Sequence, residues 1–202
     1  VGTPYNEGML AYVEHINANG GINGREIDAM SNDYAYEVPQ AEELYRRYVN
    51  DEVVAIQGWG TGDTEALRTR VANDELPFMS GSFSEELTDP EDSPFNFLIA
   101  ATYSDQMRAA LNWIAEESDG EVGVAALHHD SPFGTSPVGD GETWIDEQGL
   151  DIDYSSHAMP AGTTNFAGIL SQVDDAEYII IQNVASPAAQ LARDLKAQGG
   201  DQ

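Results

Sequence analysis

Val122-Gly123-Val124-Ala125-Ala126-Leu127 is an apolar run of strand length, and Tyr178-Ile179-Ile180-Ile181-Gln182 repeats the pattern further along. A strand wet on one side alternates apolar and polar residues. An unbroken apolar strand is covered on both faces, which points to a parallel sheet between two layers of helices. The segments between and around the two runs agree. Helical stretches over about 139–148 and 164–174 and a strand over 150–155 separate them, and a helix over 187–198 follows. Upstream, 105–117 is an amphipathic helix containing Met107, Leu111, Trp113 and Ile114. Before it come strands at 53–57, 77–80 and 95–100, with a helix over 64–73. The chain opens with helices over 4–19 and 37–50, a strand over 25–32, and a helix stop at Asn17-Ala18-Asn19-Gly20-Gly21. The alternation predicts an α/β protein with doubly wound parallel sheets. Both ends read as cut, because a strand is due before the first helix and another after Gln198-Gly199-Gly200-Asp201-Gln202.

Composition narrows the function. The 202 residues carry 36 Asp+Glu against 8 Lys+Arg, a formal net charge of −28, and Lys196 is the only lysine. Such a surface repels phosphate, which argues against nucleic acid as a partner and against docking on anionic lipid. No apolar run approaches the ~18 residues of a membrane span. The absence of cysteine removes disulfides, thiolate chemistry and Cys-ligated metals. An acid excess can simply aid solubility. Near-absence of lysine beside that excess instead resembles proteins of halophilic archaea and bacteria. In molar salt the Debye length is ~3 Å, and neighbouring carboxylates no longer repel.

Each candidate for chemistry competes with a plain structural role. Gly58-Trp59-Gly60-Thr61-Gly62-Asp63 follows a strand and opens a helix. A dinucleotide fingerprint would need a third glycine at position 63, where Asp63 stands in the place of a pyrophosphate. What remains is a turn with exposed amides, the Thr61 and Thr64 hydroxyls and Trp59, suited to a carboxylate or small polar ligand. Ser80-Gly81-Ser82-Phe83-Ser84 ends the next strand at the sheet edge where open α/β folds bind ligands, although Ser82 and Ser84 could equally serve as turn or cap residues. His128-His129-Asp130 lacks further ligands at zinc spacing, and no G-x-S-x-G elbow supports a hydrolase. The acidic pairs Glu42-Glu43, Glu85-Glu86, Glu116-Glu117 and Asp174-Asp175 read as solvated faces. No metal, cofactor or catalytic group is expected.

Asn17-x-x-Gly20-Gly21-Ile22-x-Gly24-Arg25, then Asp33, resembles the opening of the type 1 periplasmic binding proteins. More narrowly it is similar to the substrate-binding proteins of branched-chain amino acid (Liv-type) ABC transporters. Matches follow in order at Ala55-Ile56-x-Gly58, Pro77-Phe78-Met79-Ser80, Glu86-Leu87-Thr88, Phe97, His129-Asp130-x-x-Phe133-Gly134 and the segment 162–166. The run 59–64, with Pro94-x-Asn96-Phe97 and Tyr103-Ser104, resembles a subgroup of these receptors.

The resemblance implies two parallel-sheet lobes closing on a ligand like a hinge, with 1–103 in lobe 1, 104–202 in lobe 2 and a crossing near 100–104. It also implies a chain incomplete at both ends. By position, the lobe 1 ligand loops fall on Trp59-Gly60-Thr61 and Ser82-Phe83-Ser84, with Thr102-Tyr103 at the hinge. In lobe 2 they fall on Phe133 and on 183–186, naming Asn183, Ala185 and Ser186. Family members often place a tyrosine in that last loop, where this chain has Val184-Ala185-Ser186. The acid that commonly pairs with the ligand ammonium would lie beyond Gln202. The implied protein is a non-catalytic receptor for an amino acid or a related aromatic or aliphatic carboxylate. It would be a monomer outside the cell membrane (periplasmic in a Gram-negative bacterium), lipid-anchored in full-length form, and would deliver its ligand to an ABC permease. Two alternatives stay open: a ligand-responsive sensor or regulator of the same fold, and an α/β enzyme.

Overall fold

The computed structural model describes residues 2–199, which fall into two compact units that divide between Val53 and Val54. The first contains α1 (Gly2–Ala18) and α2 (Val38–Asn50). After α1 the chain reverses through a two-residue hairpin in which Ile22 and Arg25 exchange backbone hydrogen bonds of 2.8 and 3.1 Å. Asn23 and Gly24 both have positive φ, 53° and 79°, the type I′ pattern that Asn-Gly favours. Gly21 has φ 69°, and a Cβ there would lie 2.0 Å from the Arg25 carbonyl oxygen, so only glycine fits. The Asn17 amide then clips the returning chain, donating to the Ile27 carbonyl at 2.9 Å and accepting from its N–H at 2.8 Å. These contacts give the Asn17–Arg25 motif a structural purpose.

The strand expected over 25–32 does not form. Beyond the Ile22–Arg25 bridge the segment joins no ladder among the described residues, and a strand exists only through a paired neighbour. Side chains hold it instead: Ser31 donates to Asn6 at 2.7 Å, and the Tyr48 hydroxyl donates to Asn32 at 2.9 Å.

The second unit holds two parallel sheets of three strands. In the first, β1 (Ile56–Gln57), β2 (Phe78–Met79) and β3 (Asn96–Phe97) lie in register Ile56–Phe78–Asn96. These strands are shorter than predicted. Between β1 and β2 runs α3 (Thr61–Asp74), which begins three residues earlier than expected because Gly60 is its N-cap. Glu85–Leu87 forms a 3₁₀ turn between β2 and β3.

The second sheet follows α4 (Tyr103–Glu117). Its centre is β4 (Val122–His129), flanked by β5 (Ile152–Met159) and β6 (Tyr178–Gln182). α5 (Pro132–Thr135) and α6 (Val138–Gln148) come between β4 and β5, α7 (Ala167–Leu170) precedes β6, and α8 (Ala185–Ala197) follows it. Val122, Val124 and Ala126 pack with Met107, Leu111, Ile114 and Ile145 from α4 and α6. Ala125 and Leu127 pack on the opposite side with Phe166, Leu170, Val173 and Leu191. The central strand is therefore covered on both faces, as its unbroken apolar sequence predicts. Truncating Leu127 to Ala would cost roughly 2–5 kcal/mol in such a core. Gly123 permits close approach of the turn before β6, since a Cβ would lie 3.0 Å from the Asp175 carbonyl oxygen.

Two local expectations are corrected. The loop over 128–137 contains α5, which Pro132 starts at N1 and whose Gly134 lies against the His129 backbone. The helix over 164–174 shrinks to α7, because Asn165 accepts from the Ala167 N–H at 2.9 Å, the Phe166 N–H is held by Asp194, and turns follow Leu170.

Candidate ligand-binding site

The loops that leave the carboxyl ends of the two sheets meet within the second unit. Thr61 starts α3 and Ser82 follows β2, and their hydroxyl oxygens lie 2.8 Å apart. Each of these residues is 1% exposed, as is Ser84. Ser82 Oγ also accepts from the Ser84 N–H at 3.2 Å, a serine turn that fixes the loop. Ser84 occupies the N-cap position of the 3₁₀ turn but makes no capping bond. Its hydroxyl donates instead to Glu65 Oε1 at 2.7 Å and accepts from Ser136 Oγ at 3.3 Å.

Aromatic rings line the same junction. Tyr103 packs at 5.7 Å against Phe83 and edge-to-face at 5.4 Å against Phe133 on α5. The Tyr103 N–H donates to the Phe83 carbonyl at 2.8 Å, and its hydroxyl donates to the Gly81 carbonyl at 3.4 Å. Burial pushes the Tyr103 phenol up, opposed by its hydrogen bonding with Phe83, Thr61 and Ser82. The Trp59 ring lies on Gly81, where an added Cβ would be 3.0 Å from ring atom Cε3. Gly60 is buried as the α3 N-cap, and Thr64 Oγ1 donates back to its carbonyl at 2.5 Å. Asp63, buried in the first turn of α3, already supplies negative charge at the amide end of that helix.

The remaining candidates sit apart from this cluster. Thr102 is the N-cap of α4, its hydroxyl accepting from the Asp105 N–H at 3.0 Å. Asn183, ahead of the α8 N-cap Val184, accepts from the Val184 N–H at 2.8 Å and donates to the Met159 sulfur at 3.5 Å. Ala185 and Ser186 are exposed in the first turn of α8, which begins two residues earlier than predicted. The strand before their loop touches the site through Gln182, the last residue of β6, whose amide donates to the Phe133 carbonyl at 3.1 Å. His129 pairs with Ser131 at 2.8 Å and lies 6.2 Å from the Phe133 ring. Among the described residues, no three His, Asp or Glu side chains converge as a metal would need.

Several residues here escaped sequence reading. Glu65 stands one helical turn beyond Thr61, so the two share a face of α3, and that i, i+4 spacing was the available signal. Glu85 and Glu86, read as a solvated pair, are ion-paired: Glu85 accepts from Arg108 Nη1 and Nη2 at 3.1 and 2.9 Å, and Glu86 accepts from Arg68 at 2.8 Å. Ser104 is buried and donates to Asp140 on α6. Ser136 had no motif to mark it.

Parallel sheets whose carboxyl-end loops gather buried hydroxyls and aromatic rings form the kind of crevice at which open α/β folds bind ligands. The chain belongs to the periplasmic binding protein family, whose model matches residues 1–202. Its fold is the type 1 arrangement of α/β parallel sheets. It is similar to the leucine-, isoleucine-, valine-, threonine- and alanine-binding protein of Pseudomonas aeruginosa, with 24% identity over 200 residues, covering 96% of this chain and 52% of that protein. A Brucella melitensis protein, Leu/Ile/Val-binding protein homolog 7, is 25% identical over 178 residues, 84% of this chain and 44% of its own length. The solved structure of a branched-chain amino acid ABC transporter protein from Thermus thermophilus with bound valine matches at TM-score 0.92. It is 26% identical, and the match covers 98% of this chain and 52% of that one. A fatty acid ABC transporter substrate-binding protein from Thermomonospora curvata shares the fold at TM-score 0.85 and 19% identity, with 98% and 50% coverage. The chain spans about half the length of the curated relatives it matches.

Proposed function

We propose that the full-length protein is a solute receptor that captures an amino acid or a related aromatic or aliphatic carboxylate and passes it to an ABC permease. The carrying observation is the buried hydroxyl cluster of Thr61, Ser82 and Ser84 beside the Phe83, Tyr103 and Phe133 rings. Preorganised neutral hydroxyls next to an aromatic wall suit reversible binding, which needs neither a nucleophile nor a tuned acid. The two separate sheets support a division into lobes 1–103 and 104–202, with the ligand held between Trp59, Gly60, Thr61, Ser82, Phe83, Ser84, Thr102 and Tyr103 on one side and Phe133, Asn183, Ala185 and Ser186 on the other. The names of the Pseudomonas and Thermus proteins favour an aliphatic amino acid; the Thermomonospora protein places a fatty acid on the same fold. The receptor works as a monomer, without metal or cofactor, outside the cell membrane and tethered by a lipid. A net charge of −28 with one lysine suits direct exposure to brine.

A thermal-shift screen of the full-length receptor against amino acids, aromatic and aliphatic acids and nucleotides tests this reading. A ligand at about 100 times its Kd stabilises by about 2.7 kcal/mol, a readable shift. Stabilisation by nucleotides alone, or by no carboxylate, overturns it. Trp59→Ala is expected to weaken carboxylate binding, because the ring on Gly81 would face the ligand side chain.

A further inference from the structure

We propose that Arg108 is a two-position switch beside the crossing between the two sheets. Bonded to Glu85 it holds the sheets together; turned towards Asp140 and Glu147 on α6 it lets them part. Affinity is then set partly by a residue outside the proposed ligand contacts. The proposal rests on the receptor reading above, in which the sheets rotate about the crossing near 100–104.

Tyr103 and Ser104 are neighbours in the chain but are tied to opposite sides. The Tyr103 N–H donates to the Phe83 carbonyl at 2.8 Å, on the loop after β2, whereas the buried Ser104 hydroxyl donates to Asp140 on α6. Rotation between the sheets therefore turns close to this pair. Arg108 lies five residues further along α4, roughly 7.5 Å from that pivot, and a turn of about 20° moves its Cα by roughly 2.5 Å. Its guanidinium grips Glu85 side by side, Nη1 to Oε1 at 3.1 Å and Nη2 to Oε2 at 2.9 Å. Paired bonds of this kind need the two planar groups aligned, so such a displacement breaks them.

A second seat for the guanidinium lies beside the first. A cavity of about 160 Å³ is lined by Arg108, Asp140, Thr143, Trp144 and Glu147. Arg108 sits 5.8 Å from the centre of the Trp144 ring, and that indole is fixed by donating to Asn112 at 2.9 Å. Sliding over the ring carries the guanidinium from Glu85 towards Asp140 and Glu147 while its cation–π contact is kept. Glu85 favours the Arg108 charge most, and Asp140 and Asp105 favour it as well. Asp105, bonded at 3.3 Å on the same helix, moves with Arg108 and does not choose between the two seats. The Glu85 bond is part-exposed, at 27% and 39%, and a pair of this kind shifts an equilibrium by up to about fivefold.

A ligand that binds the closed arrangement reads this equilibrium, because its apparent affinity scales with the fraction of receptor that is closed. Calorimetric titration of the full-length receptor with L-leucine, L-phenylalanine and 4-methylpentanoate, at one fixed NaCl concentration, measures it. Glu85→Gln should weaken every probe that binds by one common factor of about three. Asp140→Asn, which keeps an oxygen for Ser104, should instead tighten them all by about twofold. Glu147→Gln, exposed on α6, repeats that test without disturbing Ser104. In an Arg108→Met background all three effects should vanish. Glu85→Gln and Asp140→Asn acting in the same direction, a factor that differs between probes, or an effect that survives Arg108→Met overturns the switch and leaves the receptor reading standing. If none of the three probes binds, the receptor reading falls, and small-angle scattering decides the switch by itself. The ligand-free radius of gyration should rise in Glu85→Gln and fall in Asp140→Asn; equal radii in all variants overturn it.

Discussion

Removing the Thr61 and Ser82 hydroxyls, singly and together, measures how far the candidate site holds itself together. Thr61→Val keeps the side-chain shape and deletes the oxygen. Ser82 Oγ still accepts from the Ser84 N–H at 3.2 Å, so one buried bond is lost, at about 1 kcal/mol. Ser82→Ala deprives both Thr61 and the Ser84 N–H of their partner, and two buried groups left unpaired cost about 2–3 kcal/mol. In the double variant their shared bond is already gone. The total should fall short of the sum by a coupling of about 1 kcal/mol. Urea unfolding followed by tryptophan fluorescence, at one fixed NaCl concentration, gives all four stabilities. Single-variant costs that add to within about 0.3 kcal/mol would show that the two hydroxyls do not act as a pair.

Other outcomes follow from particular contacts. Arg108→Lys should retain one of the two bonds to Glu85, and because the pair is part-exposed, at 27% and 39%, the loss should stay below about 1 kcal/mol, a Tm drop of about 1–3 °C. Arg108 also bonds to Asp105 at 3.3 Å and lies over the Trp144 ring, and a fall beyond 5 °C, set against roughly 2–4 °C per kcal/mol, would refute the reading of these contacts as exposed and weak. Burial pushes the Tyr154 phenol up to about 12, and its hydroxyl has no hydrogen-bond partner among the described residues. The unfolded phenol ionises first, near 10, so stability is complete below that pH and falls through pH 10–12 by up to about 2 kcal/mol, discounted for partial exposure. Tyr154→Phe should flatten that fall and be neutral or stabilising at pH 7, and urea titrations at pH 7 and 11 compare the two. The acidic surface predicts that Tm drops when NaCl is dialysed from molar to low concentration; a Tm indifferent to NaCl would overturn the halophilic reading.

The second sheet was the most legible part of the fold. The strand β4 and the helices α4 and α6 combine length, periodicity and apolar content, and each formed where its pattern said. Legibility failed where structure depends on partners distant in sequence. Residues 25–32 have strand composition, but a ladder needs a neighbouring strand that composition does not reveal. The helix over 164–174 was cut short by Asn165 and by Asp194, 28 residues from the Phe166 N–H it holds. In the site, Thr61, Ser82, Phe83, Ser84, Tyr103 and Phe133 were nominated by resemblance, and the structure gathers them around one junction. Glu65 and Glu85 were missed for one reason. In a chain this acidic, any carboxylate reads as surface, and only the position of a serine or an arginine across space distinguishes the few that are engaged.

The two-sided burial of β4 also bears on how the chain finds its alignment. A strand that is apolar on one face carries its own register, since a one-residue slip turns that face to water. A strand that is apolar on both faces loses that safeguard, because Val122, Val124 and Ala126 could exchange sides with Ala125 and Leu127 at little hydrophobic cost. The safeguard has moved to a residue without a side chain. Gly123 must meet the Asp175 carbonyl, and slipping the strand by one residue would push a side chain into that gap. In this protein Gly123 acts as the key that indexes the central strand.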